Sequence, residues 1–509
     1  MKSQILLLAA IVCLLITTPA SAQYSLHAYG GLDANVGSHE FAPFYMSTNR
    51  HGTLTQSKGL LLHVGAEDSL STDRRFDFSW GVEAWGGITS KADYRRWDTS
   101  DGRFLYHGER PASIWLQQLY GEVKYRSLVL SVGMKSRGSA MLNQELSSGD
   151  LIWSGNARGV PEVRLGFVDF QDIPFINGWV QADICLSYGK FVDRDWVENH
   201  YSYYRGKINP NPLWTYKRLY LRTKPSKPFS FQFGFQLSGF FGGTTYTYDK
   251  EAVTEQTKNP ETLKQFFKML LPLSGNSEGN YVAGDHKGSW DGCARYRFRN
   301  GDQLKGYFEW FWEDGSGLVK NNGWDGLWGL EYKSSRRWWI DGAVVEYLDF
   351  THQSGPIHYD PADATGIPID SQVRGRDNYY DSWYYRAYAN YGMTMGTPLV
   401  MGPIYNTDGS SSLLAPRVRA IHLAVEGSIG SDIDYTVKYS HRKAWGNPNT
   451  YTMVYPRHAD SWMVAATYRP SKVKGLSLNL QLAFDHGTLP TNAAGVLLGI
   501  TYDKIFNIK

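Results

Sequence analysis

One pattern constrains this chain more than any other. Segments of about ten residues in which apolar and polar side chains alternate recur along most of its length. Phe229, Phe231, Phe233, Phe235 and Leu237 alternate with Ser230, Gln232, Gly234, Gln236 and Ser238. Leu476, Leu478, Leu480, Leu482 and Phe484 alternate with Ser477, Asn479, Gln481, Ala483 and Asp485. Val180, Ala182, Ile184, Leu186 and Tyr188, and likewise Phe76, Phe78, Trp80, Val82 and Ala84, repeat the pattern. Successive side chains of a strand point to opposite faces, so each segment predicts a strand with one apolar and one polar side. Strands of this kind fit a transmembrane β-barrel. A soluble sandwich gives the same alternation, so the connections must arbitrate.

The pattern predicts eighteen strands, over 24–35, 59–68, 76–88, 114–124, 127–135, 162–170, 178–190, 214–223, 229–241, 290–298, 304–313, 325–333, 337–349, 417–430, 433–443, 459–469, 476–486 and 494–506. Connections after even-numbered strands are short, as at 125–126, 299–303, 334–336 and 431–432. Those after odd-numbered strands are mostly long, at 36–58, 89–113, 136–161, 191–213, 242–289 and 350–416. Short turns at one end and long loops at the other describe an outer-membrane barrel, with turns periplasmic and loops extracellular. The fold expected is therefore all-β, a transmembrane antiparallel barrel over 23–509.

This reading also accommodates the length. At 509 residues the chain exceeds an ordinary single core, yet one closed barrel absorbs it all and leaves no sheet edge exposed to lipid. Barrels of 16–18 strands can enclose an aqueous lumen. Asp183, Arg295, Arg297 and Asp485 fall on the polar face, and long loops are candidates to fold inward. The 52 Lys and Arg against 49 Asp and Glu leave little net charge. That balance argues against a nucleic-acid partner.

Residues 1–22 read as a signal peptide. Lys2 supplies the positive start, Ile5 to Ile16 the apolar run, and Ala20-Ser21-Ala22 the small-x-small cleavage site. Cys13 lies within that run with no small-residue site before it, which argues against a lipid anchor. Cys185 and Cys293 fall three strand steps apart, roughly 14 Å. That is too far for a disulfide, so two free thiols are expected. One loop helix is expected, with Asn259 as N-cap, Pro260 at its first position, Leu263, Phe266, Phe267, Leu270 and Leu271 on one face, and Pro272 at its end. Packing against the barrel mouth or interior is its expected role.

A series of motifs then stands in order: LSSGDLIWSGNARGVPEVRLG from Leu146 to Gly166, GDHKGSWDG from Gly284, WEDGSG from Trp312, DGLWGLEY from Asp325, EYLDFTHQSGPIH from Glu346, GRDNYYDSWYY from Gly375 and MGTPL from Met395. This ordered set resembles the Wzi family of capsule-assembly proteins from about residue 24 onward. The resemblance implies an 18-stranded outer-membrane barrel of a Gram-negative cell that acts as a lectin and helps attach capsular polysaccharide. It implies capsular or exopolysaccharide, outer-membrane lipids and the polysaccharide export machinery as partners. The chain departs from the best-known branch of the family, which carries periplasmic helices at its N-terminus; here strand residues Tyr24 to Asn35 begin almost at the cleavage site.

Glycan binding calls for flat aromatic faces and planar polar groups, with Arg suited to carboxylates. The loop 136–161 offers Asp150, Trp153, Asn156 and Arg158. The loop 350–416 offers Arg376, Asp377, Asn378, Tyr379, Tyr380 and Trp383, and the loop 191–213 offers Arg194, Trp196, His200, Tyr203, Tyr204 and Arg205. Asp150, Trp153, Asn156, Arg158, Arg376, Asp377, Tyr379, Tyr380 and Trp383 form the candidate glycan-binding set. The same side chains would equally suit a plug, since residues that fill a lumen look alike in sequence. His352, His358 and Asp360 fit no standard metal spacing, and no cofactor is expected. No G-x-S-x-G, H-E-x-x-H or Walker A motif is present, so no catalytic residue is assigned. A porin for sugars or small solutes is the alternative function, and a barrel hydrolase a more distant one.

Overall fold

The computed structural model describes residues 24–71, 73–270, 284–313, 315–318, 323–353, 358–359, 373–374, 377–382, 384–447 and 451–508. The signal peptide expected at 1–22 lies outside them. Eighteen strands form the wall: β1 (Tyr24–Gly37), β2 (Gly59–Asp68), β3 (Phe76–Thr89), β4 (Ile114–Tyr125), β5 (Leu128–Met134), β6 (Glu162–Phe167), β7 (Val180–Lys190), β8 (Leu213–Thr223), β9 (Phe229–Phe241), β10 (Asp285–Arg297), β11 (Gln303–Trp312), β12 (Gly326–Lys333), β13 (Gly342–Asp349), β14 (Val418–Ile429), β15 (Ile433–Asn447), β16 (Tyr451–Tyr468), β17 (Leu476–Gly487) and β18 (Ala493–Ile508). Each pairs antiparallel with its sequence neighbours, and β1 closes on β18 from Tyr24↔Ile508 to Gly37↔Gly495. The two-residue strand Gln171–Asp172 adds a short pairing to β7. The protein is thus an all-β, closed, 18-stranded transmembrane barrel.

The period-2 pattern is resolved by this closure. Phe229, Phe231 and Phe233 point outward and stay 59%, 44% and 42% exposed. Further along the same strand polar groups turn inward, as with Gln236 and Ser238, both fully buried. Outside, an apolar band suits lipid; inside, polar groups find partners in the lumen. Glycine serves close approach on the inward face: the Tyr307 ring lies over Gly329 of the next strand, where an added Cβ would sit 2.2 Å from it. Its hydroxyl donates to Glu346 of β13.

Several boundaries move. β10 begins at Asp285, and β15 and β16 extend to Asn447 and from Tyr451, so the connection expected at 444–458 is largely strand. Conversely, the short turn placed at 334–336 runs to 341. There Ser334 N–H donates to the Asp341 carbonyl at 2.8 Å in the β12–β13 register, and Trp338 N–H is taken by the Asp341 side chain, which closes the turn. The loop helix spans Leu263–Lys268 with Thr262, not Asn259, as its N-cap: the Thr262 hydroxyl accepts from Gln265 N–H at 3.3 Å. Asn259 is instead buried, donating to the Gly242 carbonyl and Thr245 Oγ1. Gln265 and Met269 are the buried side chains, whereas Leu263 and Phe267 are 79% and 70% exposed. The helix packs on the outer wall near the extracellular rim, through Phe266 on Tyr188 and Phe241.

Candidate functional site

Three long loops enter the lumen from the extracellular end. The first, after β1, carries the short helix Phe44–Ser47. Phe44 N–H donates to Asp485 of β17 at 2.8 Å, and the Arg442 guanidinium of β15 sits 3.9 Å over the Phe44 ring. Tyr45 hydroxyl meets His422 Nδ1 of β14 at 2.8 Å. The second loop, 135–161, crosses the lumen. Its Leu151 N–H donates to Glu309 of β11 at 2.8 Å, and Ser147 and Ser148 both donate to Glu346 of β13 at 2.7 Å. The third, after β13, packs Tyr379, Tyr380, Tyr385 and Tyr388 against Phe311 and Phe240 of the wall. Together they plug the extracellular half of the barrel.

The described members of the candidate set fall mostly within this plug. Asp150 is fully buried. One oxygen accepts from Ile152 and Trp153 N–H at 2.7 and 2.8 Å, and the other from Ser139 hydroxyl at 2.7 Å and Gln236 of β9 at 3.0 Å. Trp153 packs edge-on against Trp214 and Tyr216 of β8, 4.9 and 5.0 Å between ring centres. Asn156 donates to Thr394 and accepts from Asn49 N–H, joining all three loops. The Arg158 guanidinium lies between the Trp115 and Tyr391 rings, 5.1 and 4.1 Å from their centres. Burial pushes its pKa down, opposed by Tyr391 and Asp193. Tyr380 hydroxyl donates to the Leu151 carbonyl, and burial drives its pKa well up. Tyr379 is fully buried beside Phe311 and Phe350. Asp377 alone of these lines open space. Arg376 and Trp383 lie outside the described residues.

That open space is an extracellular cleft of about 1080 Å³ between the plug and the outer loops. Local strand pairing builds its far wall: hairpin 92–98 with 103–109, and hairpin 244–249 with 252–258, which also pairs with 205–208. Alternation in these loops is too short to stand out in sequence. Phe104 and Tyr204 stack obliquely at 5.0 Å, with Trp97 against both. Tyr384, Arg95, Arg205 and Lys207 also face the cleft. Tyr204 and Arg205 stood among the aromatic and basic residues of the 191–213 loop, whereas Phe104 and Arg95 carried no signal.

On the plug side the cleft is acidic, with Glu313, Asp377 and Asp381. Asp381 accepts from Asn378 Nδ2 at 3.2 Å; burial pushes its carboxyl up to about 6, against that hydrogen bond. Burial likewise holds Glu313 well above the ordinary carboxylate range, with Lys287 opposing. His200 stacks on Trp196 at 4.2 Å behind the cleft, and burial lowers it to about 4. Such a site offers aromatic faces, carboxylate acceptors and guanidinium donors. Among the described residues no group of three or more His, Cys, Asp or Glu side chains is arranged to hold a metal ion.

No protein-family model matches the chain, and no curated protein matches it. Shape is more informative. Across 100% of this chain and 89% of the other, the barrel superposes on Wzi of Escherichia coli with a TM-score of 0.54 at 12% identity. The fold is similar to that of Wzi. That protein is described as an outer membrane protein involved in group 1 capsule assembly and as a carbohydrate-binding β-barrel. OccAB2 of Acinetobacter baumannii follows at a TM-score of 0.48 and 10% identity, over 95% of this chain and 98% of that one. OpdK of Pseudomonas aeruginosa, solved with vanillate, has a TM-score of 0.44 at 8% identity, over 95% and 99%.

Below the plug a second cavity of about 620 Å³ occupies the periplasmic half of the lumen. Its walls carry paired charges: Lys135 with Glu122 and Arg137 with Glu162, both at 2.9 Å.

Proposed function

We propose that this protein resides in the outer membrane and is a lectin that holds capsular or exopolysaccharide at the cell surface without turnover. The extracellular cleft carries this reading: half-buried Tyr204 and Tyr384 offer faces for sugar C–H surfaces, and Arg205, Asp377 and Asp381 offer planar polar partners. The similarity in fold to a carbohydrate-binding barrel supports it by analogy. In this reading Asp150, Trp153, Asn156, Arg158, Tyr379 and Tyr380 hold the plug together behind the cleft, while Asp377, with Arg376 and Trp383, meets the polymer. Each barrel holds a repeat unit weakly, and a long chain touching many copies gains avidity through effective concentration. The open periplasmic cavity faces the side from which export machinery would approach.

The test is polymer partition in a deletion strain, complemented by wild type or by Tyr204→Ala with Arg205→Gln. Polymer should move from cells to medium at unchanged total in the deletion, and the double variant should fail to restore it. Restoration by the variant would remove the cleft from the reading. Unchanged partition on deletion would remove the function. A solute-conducting porin is the second reading, favoured by the periplasmic cavity of about 620 Å³. Steady single-channel conductance of the wild-type barrel would support it over the lectin.

A further inference from the structure

The outward face of β14–β17 changes character at its extracellular end. The register sets out three successive rows. The lowest is Leu423, Tyr439, Trp462 and Phe484, an aromatic and apolar row of the kind that marks a membrane interface. One step up, Ile421, His441, Asp460 and His486 stand side by side. The next row brings Asp349, Arg419, Lys443 and His458 together. Four residues of tilted strand separate Arg419 from Leu423, which lifts the cations about 10 Å above the interface row. That is headgroup depth.

Above this row three cations converge on one indole. The charged ends of Lys443, Arg419 and Arg417 lie 5.2, 5.8 and 5.9 Å from the Trp445 ring centre. Arg419 is partly neutralised by Asp349 at 3.0 Å, and Arg417 Nε donates to the Thr351 carbonyl at 2.8 Å. Asp460 is taken up by His441 at 3.0 Å and by Tyr439. Lys443 is exposed, and its two cross-strand partners are Arg419 and His458, neither of them a carboxylate. Like charges gathered this closely favour an anion between them. The rim of β1–β4 differs: Val36, Leu60, Ile88 and Ile114 end its outward faces with bare hydrocarbon.

We propose that this sector binds the phosphorylated headgroup of an outer-leaflet lipid, with Arg419 and Lys443 on the phosphate and Trp445 beneath the adjoining sugar or glycerol. The acyl chains would then run down over Leu423, Tyr439, Trp462 and Phe484. Position decides for a lipid: the cations face sideways into the membrane, directly above an apolar wall, and not into the cleft.

The full-length protein, reconstituted in phosphatidylcholine vesicles with either bis-phosphorylated lipid A or lipid A stripped of its phosphates, is re-extracted, and the lipid held per barrel is counted by native mass spectrometry. Wild type should retain the phosphorylated form at least about tenfold better, the scale expected of two cation–phosphate contacts. Arg419→Gln with Lys443→Gln should abolish that preference. Lys443→Gln alone, which removes no hydrogen bond within the protein, should weaken it even where the double variant fails to fold. Lys190→Gln, an exposed outward cation at the rim of β7, should leave it intact. Equal retention of both lipids by wild type, or an undiminished preference in Lys443→Gln, would overturn the proposal. If the substitutions lower binding of soluble polygalacturonate while lipid retention stays unchanged, the surface belongs to polymer and the lipid assignment fails.

Discussion

Arg386 and Asp193 form a two-pronged ion pair between separate extracellular loops, with Nη1 to Oδ1 at 2.8 Å and Nη2 to Oδ2 at 2.6 Å. Their side chains are 4% and 0% exposed. The pair ties the long loop after β13 to the loop after β7, and so joins the plug to the wall of the cleft. Asp193 also accepts from Tyr391 N–H, which fixes the chain next to Arg158's stacking partner.

Breaking a buried pair from one side leaves an uncompensated charge, at a typical cost of about 3–5 kcal/mol. Arg386→Ala should therefore loosen both loops while the barrel itself persists. Hydrogen exchange should rise across 191–212 and 384–395 and stay unchanged in the wall strands. Replacing both partners by apolar residues of similar volume should recover much of the loss.

The plug should be a barrier to ions. Tyr380→Phe removes a hydroxyl that donates to the Leu151 carbonyl and accepts from Thr397 N–H at 3.3 Å. Asp150→Ala orphans the Ile152 and Trp153 N–H groups and the Ser139 hydroxyl, while Gln236 keeps its bond to Asp291; each buried group left without a partner costs about 1–3 kcal/mol. Planar-bilayer recordings should show rare openings in the first variant and frequent ones in the second. Equal, low conductance in wild type and both variants would mean that these bonds do not hold the plug.

Stability of the cleft should depend on pH. Asp381 has a folded-state value of about 6 against an ordinary 3.8, raised chiefly by burial. The folded form thus binds the proton more tightly than the unfolded one. Stability is highest below the unfolded value and declines as pH rises through about 4 to 6, by at most about 3 kcal/mol for this group. Protection factors in 377–382 and 384–415, corrected for the intrinsic pH dependence of amide exchange, should be higher at pH 5 than at pH 7.5. Asp381→Asn should flatten that difference.

Cys185 and Cys293 are free and buried on the inward wall, and Arg164 Nη2 donates to Cys185 Sγ at 3.1 Å. A reductant should leave the thermal transition unmoved. Both thiols should react with maleimide only after denaturation, giving a mass gain of two adducts per chain.

Strand positions were readable in the sequence because a two-residue period is a local property that closure does not alter. Most strand centres stand where alternation put them, and the errors lie at ends. Asp285–Ser289 was missed because Gly284, Gly288 and two charges blur the pattern. The stretch 337–341 was taken as strand because Trp338, Trp339 and Ile340 are apolar, although they are exposed in a turn. The helix face was misassigned because Leu263 and Phe267 point away from the wall while Gln265 and Met269 pack on it.

The candidate site divided differently. Its residue types were legible; their surroundings were not. A Trp, Arg or Tyr in a long loop suits a polymer platform and a packed plug equally well, and no local signal distinguishes them. What separates the two is contact between residues far apart in the chain: Leu151 with Glu309, Ser148 with Glu346, Tyr45 with His422. By itself the sequence determined a closed wall of eighteen strands with one face for lipid and one for water, because alternation and turn length are short-range. Only the tertiary structure decided which loops enter the lumen and which rise around the cleft, because that choice rests on inward polar groups of opposite strands meeting partners across the barrel.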